Sequence, residues 1–208
     1  MHNIYILLLL FFGSQNLLCQ ETLTANEIVA FKKGVQQLDK ETKTIVSDFV
    51  QYKHLSFLNN DVETIGKLAF KAPNLIKWEY TAPYTYSVIF KNDNLFIDDA
   101  GDKSKIDIST NKMFKSLNDI IANSIKGNMF EDQNFDILYF KLQDYYLVKF
   151  VPKDKSMHRF ISQIELKFTI KTNDVSEVKM LEPSGDYTKI VFKNKIRNSI
   201  VKDEVFSN

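Results

Sequence analysis

From Thr44 onward, apolar and polar residues alternate with a period of two, and turn-forming residues interrupt the alternation at short intervals. Successive side chains of an extended strand point to opposite faces, so this pattern describes strands with one buried face. Ile45, Ser47, Phe49 and Gln51 alternate with Val46, Asp48, Val50 and Tyr52, and residues 66–71 alternate as cleanly. Pro73-Asn74 marks a bend, after which Ile76, Trp78 and Tyr80 share one face; Pro83 punctuates again before Tyr86, Val88 and Phe90. The turn clusters Asn92-Asp93-Asn94 and Asp98-Asp99-Ala100-Gly101-Asp102 bracket a short strand at residues 95–97, with residues 105–108 pairing back. Further strands are expected at 135–142, 145–151, 161–170, 175–181 and 187–196, separated by Pro152, Asn173-Asp174 and Ser184-Gly185. Short strands joined by tight turns form an antiparallel meander.

Two helical patterns accompany it. Thr24-Ala25-Asn26-Glu27 is a capping box, in which the Thr hydroxyl and the Glu carboxylate satisfy each other's backbone donors. Ile28, Phe31, Val35 and Leu38 then recur at helical spacing, and the helix should end near Lys40. Phe114, Leu117, Ile121 and Ile125 fall on a second helical face, with Ile120 beside them and Gly127 placed as a stop. The fold class is therefore mainly β, with α+β character. A single sheet of about ten or eleven twisted antiparallel strands curls into an incomplete barrel, and helices cover its open side. No linker and no repeat divides the chain.

Residues 4–12 form an unbroken apolar run of signal-peptide length, too short for the roughly 20 residues a membrane-spanning helix needs. No Lys or Arg precedes it. Residues 1–19 are read as a signal peptide cleaved near Cys19, leaving Gln20 to begin a single domain over 20–208; an uncleaved N-terminal anchor is the alternative. Cys19 is the sole cysteine. A lipobox needs a small residue before its Cys, and Leu18 stands there. Cleavage after Cys19 leaves no thiol for a disulfide, a zinc site or a nucleophile. The core alone must hold the fold, and 17 Phe and 9 Tyr supply it. A net charge of +1 provides no field that would draw nucleic acid.

Chemistry-bearing motifs are scarce. His54 and His158 lie far apart, without a second His or a carboxylate at metal-ligand spacing. There is no Gly-x-Ser-x-Gly elbow and no phosphate-cradling loop. Asp98, Asp99 and Asp102 do not fit the spacing of a calcium loop and read as a hairpin turn. No catalytic residue, metal ligand or cofactor is assigned. The conspicuous feature is large apolar surface on neighbouring strands: Phe70, Trp78, Tyr80, Val88 and Phe90 would all face one side. Any single one of them reads first as ordinary barrel core, and composition alone does not distinguish a filled core from the wall of a cavity.

The run Gly66-Lys67-Leu68-Ala69-Phe70-Lys71-Ala72-Pro73-Asn74-Leu75-Ile76-Lys77-Trp78 resembles the signature of the LolA family, periplasmic carriers of outer-membrane lipoproteins. That signature is a strand opened by Gly, a Pro-Asn bend and a hydrophobic-x-Trp. Phe49-Val50-Gln51 matches the family's Phe-x-Gln, and the stretch from Asp186 through Asn198 to Phe206 resembles its last strand and closing Phe. The resemblance implies an incomplete barrel of about eleven strands whose concave apolar face is lidded by helices. Acyl chains would lie against Phe49, Leu68, Phe70, Trp78, Tyr80, Val88 and Phe90, with Phe114, Leu117, Ile121 and Ile125 on a lid helix. It further implies a monomeric periplasmic carrier, not an enzyme. The partners would be acylated lipoproteins or other lipid, an inner-membrane transporter that releases the cargo and an outer-membrane acceptor. Alternatives are a carrier or sensor of another lipid such as a glycolipid, an anchored acceptor if Cys19 is lipidated, and a hydrolase. One position departs from the pattern: the best-known members place before the Pro-Asn bend an Arg that fastens the lid, and this chain has Ala72, so Lys71 or Lys77 would have to substitute.

Overall fold

The computed structural model describes residues 20–107, 130 and 134–207. Its elements in chain order are β1 (Glu21–Thr22), α1 (Ala25–Glu41), β2 (Thr44–His54), β3 (Val62–Lys71), β4 (Leu75–Ala82), β5 (Tyr86–Lys91), β6 (Asn94–Asp99) and β7 (Asp102–Asp107). Then come β8 (Phe135–Lys141), β9 (Tyr145–Pro152), α2 (Lys155–His158), β10 (Gln163–Thr169), β11 (Val175–Leu181), β12 (Tyr187–Arg197) and a 3₁₀ turn at Asp203–Phe206. The strands form one 12-stranded antiparallel sheet in the order β1-β8-β9-β10-β11-β12-β2-β3-β4-β5-β6-β7. β1 and β7 are the two edges and, among the described residues, do not pair with each other, so the sheet is an open, incomplete barrel.

The architecture is the one the alternation predicts, with one strand more. The addition is β1, two residues that pair with the outer side of β8 through Glu21↔Lys141 and Thr22↔Phe140. So short a strand has no periodicity to read. It exists because β8 presents unpaired backbone groups that its neighbour can satisfy. The four-residue α2, capped by the Asp154 side chain, also escapes notice in the sequence, since one turn carries no apolar stripe. The helix expected around Phe114, Leu117, Ile121 and Ile125 lies outside the described residues.

Local chemistry accounts for the rest. The capping box forms as read: Thr24 N–H donates to Glu27 Oε2 at 2.9 Å, and Glu27 N–H donates to Thr24 Oγ1 at 3.4 Å. Asn92 and Asp93 both adopt positive φ, as do Ala100 and Gly101, which is the backbone that two-residue hairpins require. Asp98 Oδ1 accepts from Gly101 N–H at 2.8 Å, so this acidic cluster closes the β6–β7 hairpin.

Cross-strand partners lie on the same face, so the register sorts every side chain. On the inner face, Phe31 and Val35 of α1 are buried against β8 to β11. Phe31 lies 5.0 Å from the Phe168 ring, 4.9 Å from Tyr146 and 5.3 Å from Phe130. A second inner cluster joins Ile45, Phe49, Leu68, Phe70, Ile76, Trp78 and Ile190. Phe192 of β12 packs against both clusters and welds them. On the outer face, Val201, Val205 and Phe206 of the C-terminal segment pack over Ile89, Val46, Ala69, Leu75 and Phe96. That segment is a strap across the back of β2 to β6.

Candidate functional site

Three rows of side chains cross the inner face of β2 to β6. Phe192, Phe49, Gly66, Tyr80 and Tyr86 are successive partners in one. Ser47, Leu68, Trp78, Val88 and Ile97 make the next. Ile45, Phe70, Ile76, Phe90 and Leu95 make the third, and Arg197 stands at its head. The structure therefore brings Phe49, Leu68, Phe70, Trp78, Tyr80, Val88 and Phe90 together on one side of four adjacent strands, β2 to β5. Four of them, Phe49, Leu68, Phe70 and Trp78, are buried; Tyr80, Val88 and Phe90 are half-buried.

The rings interlock. Phe49 meets Trp78 edge-on at 5.0 Å and Tyr80 at 5.2 Å, in the T-shaped geometry that aromatic quadrupoles favour. Gly66 makes room for this: a Cβ there would lie 2.3 Å from the Glu79 carbonyl oxygen and 2.5 Å from the Phe49 ring. Tyr80 donates its hydroxyl to Gln51 Oε1 at 3.0 Å, and burial pushes its pKa up to about 12. The Phe-x-Gln of β2 thus supplies a ring and an amide to the same aromatic layer, with the amide accepting from the Tyr80 hydroxyl.

Several contributors were not legible beforehand. Ile190 and Phe192 reach this face from β12, which pairs with β2 across most of the chain. Their own alternation was visible, but not which strand they would lie beside. The two lysines considered as stand-ins for the missing Arg both point the other way. Lys71 donates to the Val201 carbonyl at 3.1 Å and to Asp203 at 2.5 Å, and holds the strap. Lys77 bonds Glu79 at 3.1 Å on the outer face. The reason is parity: each sits one residue from an inward side chain, Phe70 or Trp78, and so faces out.

His54 has a structural partner that sequence spacing does not bring forward. Its Nδ1 lies 2.8 Å from Asp61 Oδ1, its ring stacks on Tyr187 at 4.8 Å, and Tyr187 donates its hydroxyl to Asp61 Oδ2 at 2.9 Å. Hydrogen bonds from His54 and Tyr187 hold the Asp61 carboxyl below its usual value. This trio ties the β2–β3 hairpin to β12, a pairing that the hairpin creates and spacing alone conceals. Among the described residues no His, Cys, Asp and Glu group could hold a metal, and no helix is long and apolar enough to cross a membrane.

A family model, outer membrane lipoprotein carrier protein LolA, matches residues 40–208. That span begins in the last turn of α1 and contains every strand of the site. The chain belongs to the LolA family. Solved structures with a TM-score above 0.5 share the fold of this LolA-family chain at low identity. An uncharacterized conserved protein from Thermus thermophilus is 7% identical, with a TM-score of 0.52 over 88% of this chain and 94% of the other. MucB is 8% identical, with a TM-score of 0.52 over 88% of this chain and 63% of the other. The LolA superfamily protein NE2245 from Nitrosomonas europaea is 9% identical, with a TM-score of 0.48 over 86% and 97%. No curated protein sequence matches the chain significantly.

Proposed function

We propose that this chain is a periplasmic carrier that shields the acyl chains of lipoproteins against the inner face of β2 to β6 and delivers them to the outer membrane. The observation that carries the reading is the continuous apolar wall of Phe49, Leu68, Phe70, Trp78, Tyr80, Val88 and Phe90 in a member of a lipoprotein-carrier family. Residues 1–19 act as the export signal, and Phe114, Leu117, Ile121 and Ile125 contribute to the cover over the wall. The partners on this reading are an inner-membrane transporter that loads the cargo and an outer-membrane acceptor.

The energetics suit transfer without nucleotide. Each methylene removed from water gains about 0.8 kcal/mol, so a multi-chain anchor does not cross an aqueous space unaided. Leu68, Phe70 and Trp78 are already out of water, so binding gains mainly from desolvation of the cargo. A wall of aromatic and aliphatic side chains makes few directional contacts, so it holds a chain without locking one pose and releases it to a deeper apolar site.

A photo-crosslinking residue at Phe70 should capture acylated lipoproteins in intact cells, and the same probe at Lys67, on the opposite face of β3, should capture little. Tyr80, half-buried on the same wall, serves as a second inward position. Adducts made mainly of glycolipid or free lipid point to a carrier of another lipid. Equal labelling from Lys67 and Phe70 removes the inner face from the account.

A further inference from the structure

The bottom of β12 carries a charge cluster that neither the fold nor a purely apolar wall requires. Lys195 and Arg197 project toward the β10–β11 turn, where Asp174 is the carboxylate that receives them both. Both Arg197 Nη atoms donate to Asp174, and Lys195 Nζ donates to Asp174 Oδ1 at 3.3 Å and to the Val175 carbonyl. Among the described residues two cations share one anion, which leaves one positive charge over. Arg197 Nε is buried with no hydrogen-bond partner among the described residues. The three side chains are only 18–24% exposed, so the surplus charge is screened poorly by water. Burial is the chief influence on Lys195 and holds its pKa below the usual value despite Asp174. Such an arrangement is costly unless something anionic offsets it.

Its position gives the cluster a meaning. Arg197 is the cross-strand partner of Ile45, and the row continues through Phe70, Ile76, Phe90 and Leu95. Lys195 Nζ sits 5.1 Å from the centre of the Phe192 ring, and Phe192 lies 6.0 Å from Trp78. The cations therefore stand at one end of the apolar rows, where a chain lying along them would place its head.

We infer that Lys195 and Arg197 receive an anionic head group, a carboxylate or a phosphate, on an acyl chain laid along the Phe70 row. The inference rests on the lipid-binding reading of the inner face and narrows its ligand class. An oxyanion takes the free Nε of Arg197 and shares the Lys195 ammonium with Asp174, in the charge-assisted geometry that guanidinium and ammonium groups favour. Asp174 keeps the guanidinium in place between loads.

The test uses the purified chain and three probes with the same acyl chain: myristate, myristoyl lysophosphatidylglycerol and monomyristoylglycerol. Binding is read by Trp78 emission and checked by calorimetry. At least one of the two charged probes should bind about tenfold more tightly than the neutral one at low salt, and the advantage should shrink as salt rises. Which of the two gains identifies carboxylate or phosphate. Lys195→Gln should remove most of the advantage while leaving monomyristoylglycerol affinity unchanged. Asp174→Asn, which withdraws the competing carboxylate, should enlarge it; should Lys195→Gln fail to fold, this variant and the salt series decide. Equal affinity for charged and neutral probes in the parent chain overturns the inference while leaving the lipid-binding reading intact. So does a loss that is the same for all three probes in both variants, which marks the cluster as a clasp between β12 and the β10–β11 turn. If no probe binds, the lipid-binding reading falls and the inference with it.

Discussion

Gly66 and Phe49 face each other across β2 and β3, and neither explains itself alone. The Phe49 ring lies where a Cβ on residue 66 would project, and the Glu79 carbonyl closes the other side. A backbone oxygen at 2.3 Å does not yield as a flexible side chain would. Gly66→Ala should therefore destabilise the fold by about 1–3 kcal/mol, the usual range for overpacking. It should also shift native Trp78 emission, because displacing Phe49 disturbs its edge contact with the indole. Denaturant unfolding of the two chains measures the first, and a wild-type midpoint with unchanged emission would show that the ring moves freely. The glycine was visible in the sequence as the opening residue of a motif. Why it must be glycine was not, because the ring and the carbonyl it accommodates come from strands on either side.

At the scale of elements, the strap after β12 does the most for its length. Phe206 is 1% exposed and packs with Ile89 and Val201 on the outer face, whereas Ile200 is 97% exposed. Phe206→Ala should cost about 3–5 kcal/mol, as large-to-small changes in a core do. Ile200→Ala should stay within about 0.5 kcal/mol, since it removes almost no buried contact. Urea unfolding of both variants tests the contrast; equal losses would mean that the strap does not dock as described. The Lys71–Asp203 pair contributes little beside this, because Asp203 is exposed and surface ion pairs are weak. The strands themselves were readable to within a few residues, because alternation is a local property. The strap was not, since its closing Phe has no period and its partners on β5 and β6 lie far away along the chain.

On the scale of the molecule, an open sheet has two edges to protect. β1 is two residues long, and β7 carries Lys103 and Lys105 along an exposed edge, devices that discourage pairing with another chain. Although the sheet does not close, its two inner clusters meet at Phe192. Unfolding should therefore be one cooperative transition. Trp78 emission reports the β2–β6 half and far-ultraviolet circular dichroism reports the whole sheet, so the two curves should coincide on a denaturant axis. Separated midpoints would divide the molecule between its two inner clusters.

The sequence by itself determined the meander, the capped helix α1, the hairpin turns and the parity that points Phe70, Trp78 and Tyr80 one way and Lys67, Lys71 and Lys77 the other. These follow from interactions between residues a few positions apart, where side-chain direction and turn chemistry are set by the backbone. Tertiary structure decided what lies beside what. It laid β12 against β2, so that Phe192 joins two clusters and Arg197 heads the Phe70 row. It brought Asp61 to His54 and Tyr187, and set one carboxylate, Asp174, between two cations. Those contacts depend on how the strands are ordered across the sheet, and no local period in the chain encodes that order.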